Sequence, residues 1–413
     1  MKLYYFDIHG RAEPIRMLLH LKGEKYEDIR VDQGKGFEDL INGGKLEFGQ
    51  LPVLELDDGT ILSQSWAIMK YLGAKYEMIP TDIMEAYKGD CLHQLFTMDY
   101  KDGEWSNPEI LPFGKMLFSP AMSSIHYGQS IFEGMKAFRK DGEVYTFRAK
   151  DNFARLNRSA DRMCMPNIPN ELVMNGLKEL LRTDKEWIPE NETNSLYIRP
   201  FMFATDEYVG IRPSETYKFM IFCCPVGNYY SEPLKVKIET YFTRAANGGV
   251  GEAKAAGNYA SSLYPAKLAN EQGYHQLLWT DSKEHKYIEE SGTMNVMFVI
   301  NNTLITPSLS GTILPGITRN SVLTIAKDWG YNVEERQITV TEVIEAIKNG
   351  TLTEAFGAGT AATIAQIQTI GLDGMDYELP EIKGREFSNR VLKFLNNIKR
   401  GQETDKWGWI DTV

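Results

Sequence analysis

Lys254 stands among very small side chains, in the stretch GGVGEAKAAGNYASSL that runs from Gly248 to Leu263. An amine that forms a Schiff base must be neutral when it attacks, and burial beside small residues favours the neutral form. Small neighbours also allow a flat ring to lie against the backbone. Lys254 is therefore a candidate covalent anchor for an aldehyde cofactor, although a lysine in an alanine-rich segment can equally be an exposed helix residue.

Two glycine-rich segments have the composition of anion-binding loops. In LPGITRNSV, from Leu314 to Val322, a glycine followed by Ile317 and Thr318 predicts the start of a helix. Free N–H groups and a hydroxyl at a helix N-terminus bind anions. FGAGTAAT, residues 356–363, predicts a second loop of the same kind. Two such loops suit one phosphate and one carboxylate, but each is also compatible with an ordinary loop-to-helix junction.

Two adjacent carboxylates occur in KYIEESGTMNVMFVI. Adjacent strand residues face opposite ways, so only one of Glu289 and Glu290 can point inward. A buried carboxylate beside a pyridine nitrogen would keep that ring protonated and electron-withdrawing. The alternative is an exposed acidic hairpin after DSKEHK, and we expect Glu289 to be solvated and Glu290 buried.

Composition limits the classes of function. The chain has 413 residues, a net charge of −11, 43% hydrophobic residues and 24% charged residues. The acidic balance argues against nucleic-acid binding. No apolar run is long enough to span a bilayer, and the start MKLYYFDIHG has no signal-peptide pattern. Four scattered cysteines without zinc spacing predict no metal site and favour the cytoplasm.

The elements that must position these groups fall into two blocks with a change of composition near Met98. The first block predicts an α/β unit with a hairpin at the Asp-Gly turn of LPVLELDDGTIL and a final helix capped by Ser63 or Ser65. After Met98, strands and helices alternate, and CPVGNYYSEPLK reads as a connector between two halves. The predicted boundaries are 1–82, a linker or helix over 83–97, 98–225 and 226–413.

From Met98 onward the chain resembles the branched-chain amino acid aminotransferases, which have the fold type IV of pyridoxal 5'-phosphate (PLP) enzymes. Seven motifs stand in family order: HYGQSIFEGMKAFR, DNFARLNRSADRM, SLYIRPFMF, GEAKAAGNYASSLYPAKLA, EESGTMNVMF, GTILPGITRNSVL and EAFGAGTAATIA. The resemblance covers roughly three quarters of the sequence and implies a small and a large domain. D-amino acid aminotransferases and aminodeoxychorismate lyases share the lysine and glutamate but not this combination of motifs.

The resemblance assigns roles to matching positions. Lys254 would be the Schiff-base lysine and proton shuttle, Glu290 would pair with the pyridine nitrogen, and Tyr259 would bond the phenolic oxygen. The phosphate would be held by Arg155, Ile317, Thr318 and Thr360. The substrate would be held by Thr293, Tyr259 and the backbone at Ala361, in a pocket walled by Tyr127, Phe132 and Tyr197, with Arg199 facing the distal carboxylate of glutamate.

The same resemblance implies substrates and assembly. Leucine, isoleucine or valine would exchange an amino group with 2-oxoglutarate, in branched-chain amino acid biosynthesis or in degradation. In the family a homodimer completes the site.

Residues 1–82 resemble the thioredoxin-like N-terminal domain of a glutathione transferase, nearest the sigma class. The matches are LYYFDIHGRAEPIR and FGQLPVLELDDGTILSQSWAIMKYL. They imply glutathione as a ligand, contacted by Tyr5, Arg11, Gln50, Leu51, Gln64 and Ser65, with Pro52 in the cis form. The all-helical domain that follows in that family is missing after its first helix candidate, PTDIMEAYKGDCLHQLF.

The fold expected is therefore α/β, a thioredoxin-like domain followed by a two-domain fold type IV aminotransferase. Three interpretations of function remain open. The chain is an aminotransferase with a glutathione-binding or merely structural appendage, a bifunctional enzyme with transferase activity, or a fusion whose first domain is a non-catalytic interaction module and whose aminotransferase domain is impaired by the loss of its leader segment.

Overall fold

The computed structural model describes residues 1–8, 11–46, 49–76, 94–191, 193–227, 230 and 232–413. These form two compact units, Met1–Leu92 and His93–Val413. The helix candidate that begins at Pro80 lies almost wholly outside the described residues, as does most of the predicted linker. Within the described ranges, no helix combines the length and apolar content that crossing a membrane requires.

The N-terminal unit is a four-stranded sheet with three helices. Its strands are β1 (Lys2–Phe6), β2 (Glu27–Val31), β3 (Val53–Glu55) and β4 (Ile61–Ser63), and its helices are α1 (Glu13–Leu21), α2 (Lys35–Asn42) and α3 (Ser65–Lys75). The sheet order is β2-β1-β3-β4, with β1 parallel to β2 and antiparallel to β3. This is the arrangement expected of a thioredoxin-like domain.

The apolar pattern of the N-terminal sequence explains this unit. Leu3, Val53 and Leu54 from the sheet share one core with Ile15 of α1 and Leu72 of α3. The Asp-Gly hairpin and both predicted helices are confirmed, whereas α2 had not been predicted. The predicted serine caps are wrong, because the residue before α3 is Gln64 and its side chain makes no capping bond.

The second unit begins with an antiparallel sheet. Its strands run β21-β9-β8-β10-β11-β5-β6, and β7 pairs with β10. The bounds are β5 (Gln94–Lys101), β6 (Glu104–Pro112), β7 (Ser130–Phe132), β8 (Met135–Lys140), β9 (Glu143–Phe147), β10 (Ser195–Ala204), β11 (Tyr217–Val226) and β21 (Ile410–Thr412). Its helices are α4 (Ser123–Tyr127), α5 (Ala149–Arg162) and α6 (Asn170–Thr183).

The predicted linker extends too far toward the C-terminus. Leu95 and Phe96 pair with Phe222 and Ile221 of β11, so the strand begins four residues before Met98. Both side chains are buried, and this burial fixes Gln94–Thr97 in the sheet. The C-terminal strand β21 also joins this first sheet, by pairing with β9, although it lies in the segment assigned to the large domain.

A second sheet follows in the order β14-β13-β12-β19-β18-β15-β16-β17, with β20 paired to β19. The bounds are β12 (Leu234–Ile238), β13 (Gln276–Thr280), β14 (Ile288–Ser291), β15 (Met294–Ile300), β16 (Thr303–Thr306), β17 (Asn332–Glu335), β18 (Leu352–Gly359), β19 (Thr363–Leu372) and β20 (Met375–Glu378). Its helices are α7 (Ala256–Ser261), α8 (Leu263–Glu271), α9 (Ile317–Asp328), α10 (Val340–Lys348) and α11 (Phe387–Ile398).

Helices cover both faces of this second sheet. Every residue of β15 is buried, as a continuous apolar run predicts for a strand covered on both sides. Val296 and Phe298 face the core that includes α10, whereas Met297 and Val299 face the core that includes α9 and α11. The rigid sheet therefore carries the turns and helix starts that approach the first sheet.

Candidate active site

A cavity of about 750 Å³ lies between the two sheets of the second unit. Its wall combines β7, β8 and β10 of the first sheet with the start of α9 and the β18–β19 turn of the second. The wall includes most of the predicted cofactor and substrate residues: Phe132, Arg155, Tyr197, Arg199, Lys254, Tyr259, Glu290, Thr293, Ile317, Thr318, Thr360 and Ala361.

Lys254 is held by its backbone on one side of the cavity. Its N–H donates to Ser159 Oγ at 3.0 Å, and its carbonyl accepts from the Phe132 N–H at 3.1 Å. Its Nζ donates to the hydroxyl of Tyr259 at 2.7 Å and lies 4.7 Å from the centre of the Phe132 ring. The amine therefore points into the cavity from a fixed backbone and lies beside the Phe132 and Tyr259 rings, which contact each other.

Glu290 faces the same cavity from the second sheet. Its carboxylate accepts the Leu314 N–H at 2.7 Å and an Asn295 amide N–H at 3.2 Å, and it lies 2.9 Å from the guanidinium of Arg244. Burial raises the pKa of Glu290, while Arg244 and the Leu314 N–H oppose that shift. The side chain is only 3% exposed, so its charge acts with little screening by solvent.

Glu289 is not solvated, contrary to the sequence-based expectation. It is 7% exposed and accepts a short hydrogen bond from the Thr312 hydroxyl. Burial raises the pKa of its carboxyl group. The two glutamates do face opposite ways, because only Glu290 lines the cavity, but the loop that carries Thr312 covers the other face of the strand.

The first glycine-rich segment forms the predicted helix start. Ile317 is the first residue of α9, Thr318 is buried beside it, and Gly316 precedes both. A Cβ atom at Gly316 would overlap the Asn295 amide oxygen, so glycine is required for this close approach. The second segment is different, because Thr360 and Ala361 lie in a turn between β18 and β19 rather than before a helix.

Arg155 reaches the cavity from α5 and is bound to a buried carboxylate. Its Nε and Nη2 each donate to Glu133 at 2.7 Å, and its Nη1 donates to the Pro315 carbonyl at 3.2 Å. Glu133 is fully buried. It lies in the motif HYGQSIFEGMKAFR, where no spacing distinguishes it from an exposed glutamate, so the sequence alone does not indicate its role. The pair fixes the guanidinium beside the loop before α9.

The substrate end of the cavity is aromatic. Arg199 Nη2 donates to the Tyr197 hydroxyl at 3.0 Å, and its guanidinium lies 4.8 Å from the centre of the Phe132 ring. No carboxylate among the described residues pairs with Arg199, and its Nε is buried without a hydrogen-bond partner. A cation in an apolar wall without its own counter-ion suits an anionic group of a ligand.

Tyr127 does not join this wall. It ends α4, is 43% exposed and is absent from the cavity lining. Tyr127 therefore does not line the cavity of its own chain, and its place in a substrate pocket stays a prediction. By contrast, Lys136, which had not been predicted, lines the cavity and donates to the Ala361 carbonyl at 2.6 Å. This hydrogen bond stabilises the turn at Ala361.

The N-terminal unit gathers its predicted glutathione residues only in part. The Tyr5 hydroxyl accepts the backbone N–H of Arg11 at 3.3 Å, whereas the guanidinium nearest the Tyr5 ring belongs to Arg16. The Gln64 amide donates to Gln50 at 3.4 Å. Ser65 is the first residue of α3, and the peptide bond from Leu51 to the following proline is cis.

Comparison with known proteins agrees with this geometry. Residues 130–370 match the family Amino-transferase class IV. The chain is 46% identical over 324 residues to branched-chain-amino-acid aminotransferase 2 of Bacillus subtilis, an alignment that covers 77% of this chain and 89% of the relative. Residues 1–74 match the Glutathione S-transferase N-terminal domain.

Solved structures share the fold of the second unit. The branched-chain aminotransferase of Thermoproteus uzoniensis with norvaline superposes with a TM-score of 0.65 at 26% identity, over 78% of this chain and 99% of that one. The Thermobaculum terrenum branched-chain aminotransferase in its PLP form gives a TM-score of 0.62 at 22% identity, over 77% and 97%.

The fold and the site define a class IV aminotransferase with a glutathione S-transferase-like N-terminal domain. Within that class, the chain belongs to the branched-chain-amino-acid aminotransferase family.

Proposed function

We propose that this protein transfers the amino group of L-leucine, L-isoleucine or L-valine to 2-oxoglutarate, with PLP as its cofactor. The observation that carries the proposal is the meeting of Lys254, Tyr259 and Glu290 in one cavity beside the start of α9. The 46% identity to a Bacillus subtilis branched-chain enzyme supports the choice of substrate.

The donors around the cavity fit PLP. The start of α9 offers backbone N–H groups and the Thr318 hydroxyl to a phosphate, with Thr360 and Arg155 beside them. The Lys254 amine suits the aldehyde, and the buried carboxylate of Glu290 suits a protonated ring nitrogen. When bound, PLP supplies an electron sink for the carbon from which a proton is removed.

Different residues of the chain have different roles in proton transfer. The Lys254 amine is placed to remove and return the substrate proton, and the Tyr259 hydroxyl orients that amine at 2.7 Å. Glu290 holds negative charge in a buried setting, where Arg244 and the Leu314 N–H stabilise it. The aromatic rings of Phe132 and Tyr197 exclude water from the side-chain end of the pocket.

The two substrates make different demands on that end of the pocket. A branched alkyl chain needs apolar contact, which Phe132 and Tyr197 provide, whereas glutamate and 2-oxoglutarate carry a distal carboxylate. Arg199 can meet that carboxylate because its guanidinium has no acidic partner among the described residues. Thr293 and the turn at Ala361 are left for the α-carboxylate, and Lys136 steadies that turn.

Replacement of Arg199 by methionine should separate the two half-reactions. Methionine keeps most of the side-chain volume but leaves the distal carboxylate unpaired, at a cost of about 2 kcal/mol or roughly thirtyfold in apparent affinity. We expect the KM for 2-oxoglutarate to rise by that factor, while the KM for leucine changes little. Equal losses for both substrates would identify Arg199 as structural.

Turnover of leucine with 2-oxoglutarate by the purified chain is the direct test of the proposed function. Formation of glutamate would be followed with leucine, isoleucine and valine. D-alanine and aminodeoxychorismate serve as substrates for the alternative class IV activities. Faster turnover of either alternative would contradict the branched-chain assignment.

We propose that the working unit is a homodimer. Leu117, Ile125 and Ile211 of the second unit are apolar and well exposed, and apolar surface of this kind marks interaction sites. Tyr127 is also exposed, and in a dimer it would enter the pocket of the second copy. The free thiols of Cys164, Cys223 and Cys224 suit a reducing compartment such as the cytoplasm.

For the N-terminal unit we propose weak glutathione binding without conjugation. The observation that favours it is the backbone of Gln64, whose φ of 73° lies in a region that glutamine rarely occupies. Strained backbone of this kind concentrates at ligand sites. Gln64 immediately precedes the N-terminus of α3, which suits the carboxylate of a γ-glutamyl group.

Conjugation of glutathione to a chlorinated nitrobenzene should remain near the uncatalysed rate, because the sequence lacks the helical domain that would position an electrophile. Titration calorimetry should detect weak binding of glutathione that Ser65→Ala reduces. Rapid conjugation that is lost in Tyr5→Phe would contradict this proposal and favour a bifunctional enzyme.

A further inference from the structure

Lys399 is a buried amine that the reaction described above does not use. It follows α11 and is 4% exposed. Its Nζ donates to Thr363 Oγ1 at 2.8 Å and lies 5.2 Å from the centre of the Phe147 ring. An ammonium group has three donors, so one hydroxyl leaves most of its hydrogen-bonding capacity unused.

A small void separates Lys399 from the predicted phosphate loops. Its volume is about 20 Å³, which is enough for one water molecule. The polar side chains around it are Lys399, Lys136, Asn152, Thr318 and Thr360. Lys399 therefore lies directly behind both segments that would receive the phosphate, within reach of one bridging water.

The cationic side chains around these loops differ in whether a carboxylate pairs with them. Arg155 is neutralised by Glu133, and Arg148 and Arg319 form ion pairs with Asp151 and Glu335. Among the described residues, neither Lys136 nor Lys399 has such a partner. A bound phosphate dianion would therefore lie near arginines that already pair with carboxylates. It would also lie near two lysines, Lys136 and Lys399, that do not.

The charged groups that face Lys399 are both cationic. Burial lowers the pKa of Lys399 well below its ordinary value, and Lys136 and Arg400 lower it further. Burial also lowers the pKa of Lys136 to about 8, again with a contribution from Arg400. In this setting the surrounding protein and the two cationic neighbours disfavour charge on the Lys399 amine, and a nearby anion would favour it.

We propose that Lys399 is a proton-accepting counter-ion for the phosphate group of the cofactor. The amine takes one proton from solvent when phosphate binds between the start of α9 and the β18–β19 turn. The inference rests on the proposed PLP cofactor and assigns Lys399 a positioning role, since it acts through Thr363 and the void. Because protons are taken up on binding, affinity falls as pH rises through the range in which the free protein leaves Lys399 neutral.

Calorimetry can count this proton. The full chain in cofactor-free form would be titrated with PLP and with pyridoxal, which lacks the phosphate, in two buffers of different ionisation enthalpy. Wild type should take up about one proton more than Lys399→Met with PLP, and the two proteins should not differ with pyridoxal. Loss of a charge-assisted contact should weaken PLP binding on the order of tenfold.

Lys393→Met provides the matched control, because Lys393 is exposed on α11, the helix that Lys399 directly follows. It should match wild type in both proton number and affinity. Lys399→Gln, which keeps a donor for Thr363, guards against misfolding of the methionine variant and should also lose the proton. Equal proton numbers in wild type and in a folded Lys399 variant would overturn the inference. Failure of wild type to bind PLP would contradict the proposed cofactor, and the inference with it.

Discussion

Lys254→Ala is expected to reduce leucine turnover by roughly 10³- to 10⁴-fold or more, since the variant loses both a covalent anchor and a proton carrier. The amine lies 2.7 Å from the Tyr259 hydroxyl inside the cavity, and the alanine side chain cannot reach this position. Borohydride reduction of the PLP-loaded wild type, followed by proteolysis and mass spectrometry, should find the cofactor attached to the peptide that contains Lys254.

Lys267→Ala is the control for that experiment, because the Lys267 side chain is 73% exposed on α8. It should retain turnover and the visible absorbance of the lysine-bound cofactor. A Lys254→Ala protein that still catalyses at the wild-type rate would refute the role of Lys254.

The second large effect is expected for Glu290→Gln. Glutamine preserves the shape of the side chain and can still accept the Leu314 N–H, but it removes the negative charge that faces the cavity. We expect kcat to fall roughly 10²- to 10³-fold while PLP remains bound, because about 3–4 kcal/mol of electrostatic stabilisation is lost. Stopped-flow measurement of the half-reaction with leucine would report this change.

Glu289→Gln is the control for Glu290→Gln. It removes a negative charge from the same strand, but from the side that faces away from the cavity. Glu289 is also buried, so its replacement can lower the melting temperature by disturbing the bond to Thr312. It should change kcat by no more than a few fold, because the side chain faces away from the cavity. A larger loss of kcat in Glu289→Gln than in Glu290→Gln would reverse the assignment.

The sequence alone identified chemistry at single positions but not the way in which distant positions meet. The setting of Lys254 and the helix start at Ile317 could be read locally, because small residues and a glycine before a helix have local physical meanings. Their convergence on one cavity depends on tertiary structure. The pairing of β7 with β10 forms one wall, and the second sheet places the start of α9 opposite that wall. Only the order of the seven motifs indicated that convergence.

The failures of sequence-based prediction have identifiable physical causes. Glu289 follows a charged segment and is expected in solvent from the sequence, but the loop that carries Thr312, 23 residues later, covers it. For Tyr127, the tertiary structure shows only that its own chain leaves it exposed, so its place in a pocket wall stays a prediction. Lys399 gives no signal, because one lysine in KFLNNIKR looks like any lysine at a helix end.

The pairing of β21 with β9 has a mechanical consequence for the second unit. The chain crosses between its two sheets first at the segment after β11 and again after α11, so the halves are joined by two separate tethers. Two fixed points leave rotation about the line between them as the easy motion, and they oppose sliding or separation. The stacked rings of Trp407 and Trp409, with Trp409 packed on Phe147, stiffen the second tether. If the cleft opens, we expect the two sheets to rotate about the line between these two connections rather than to slide past each other.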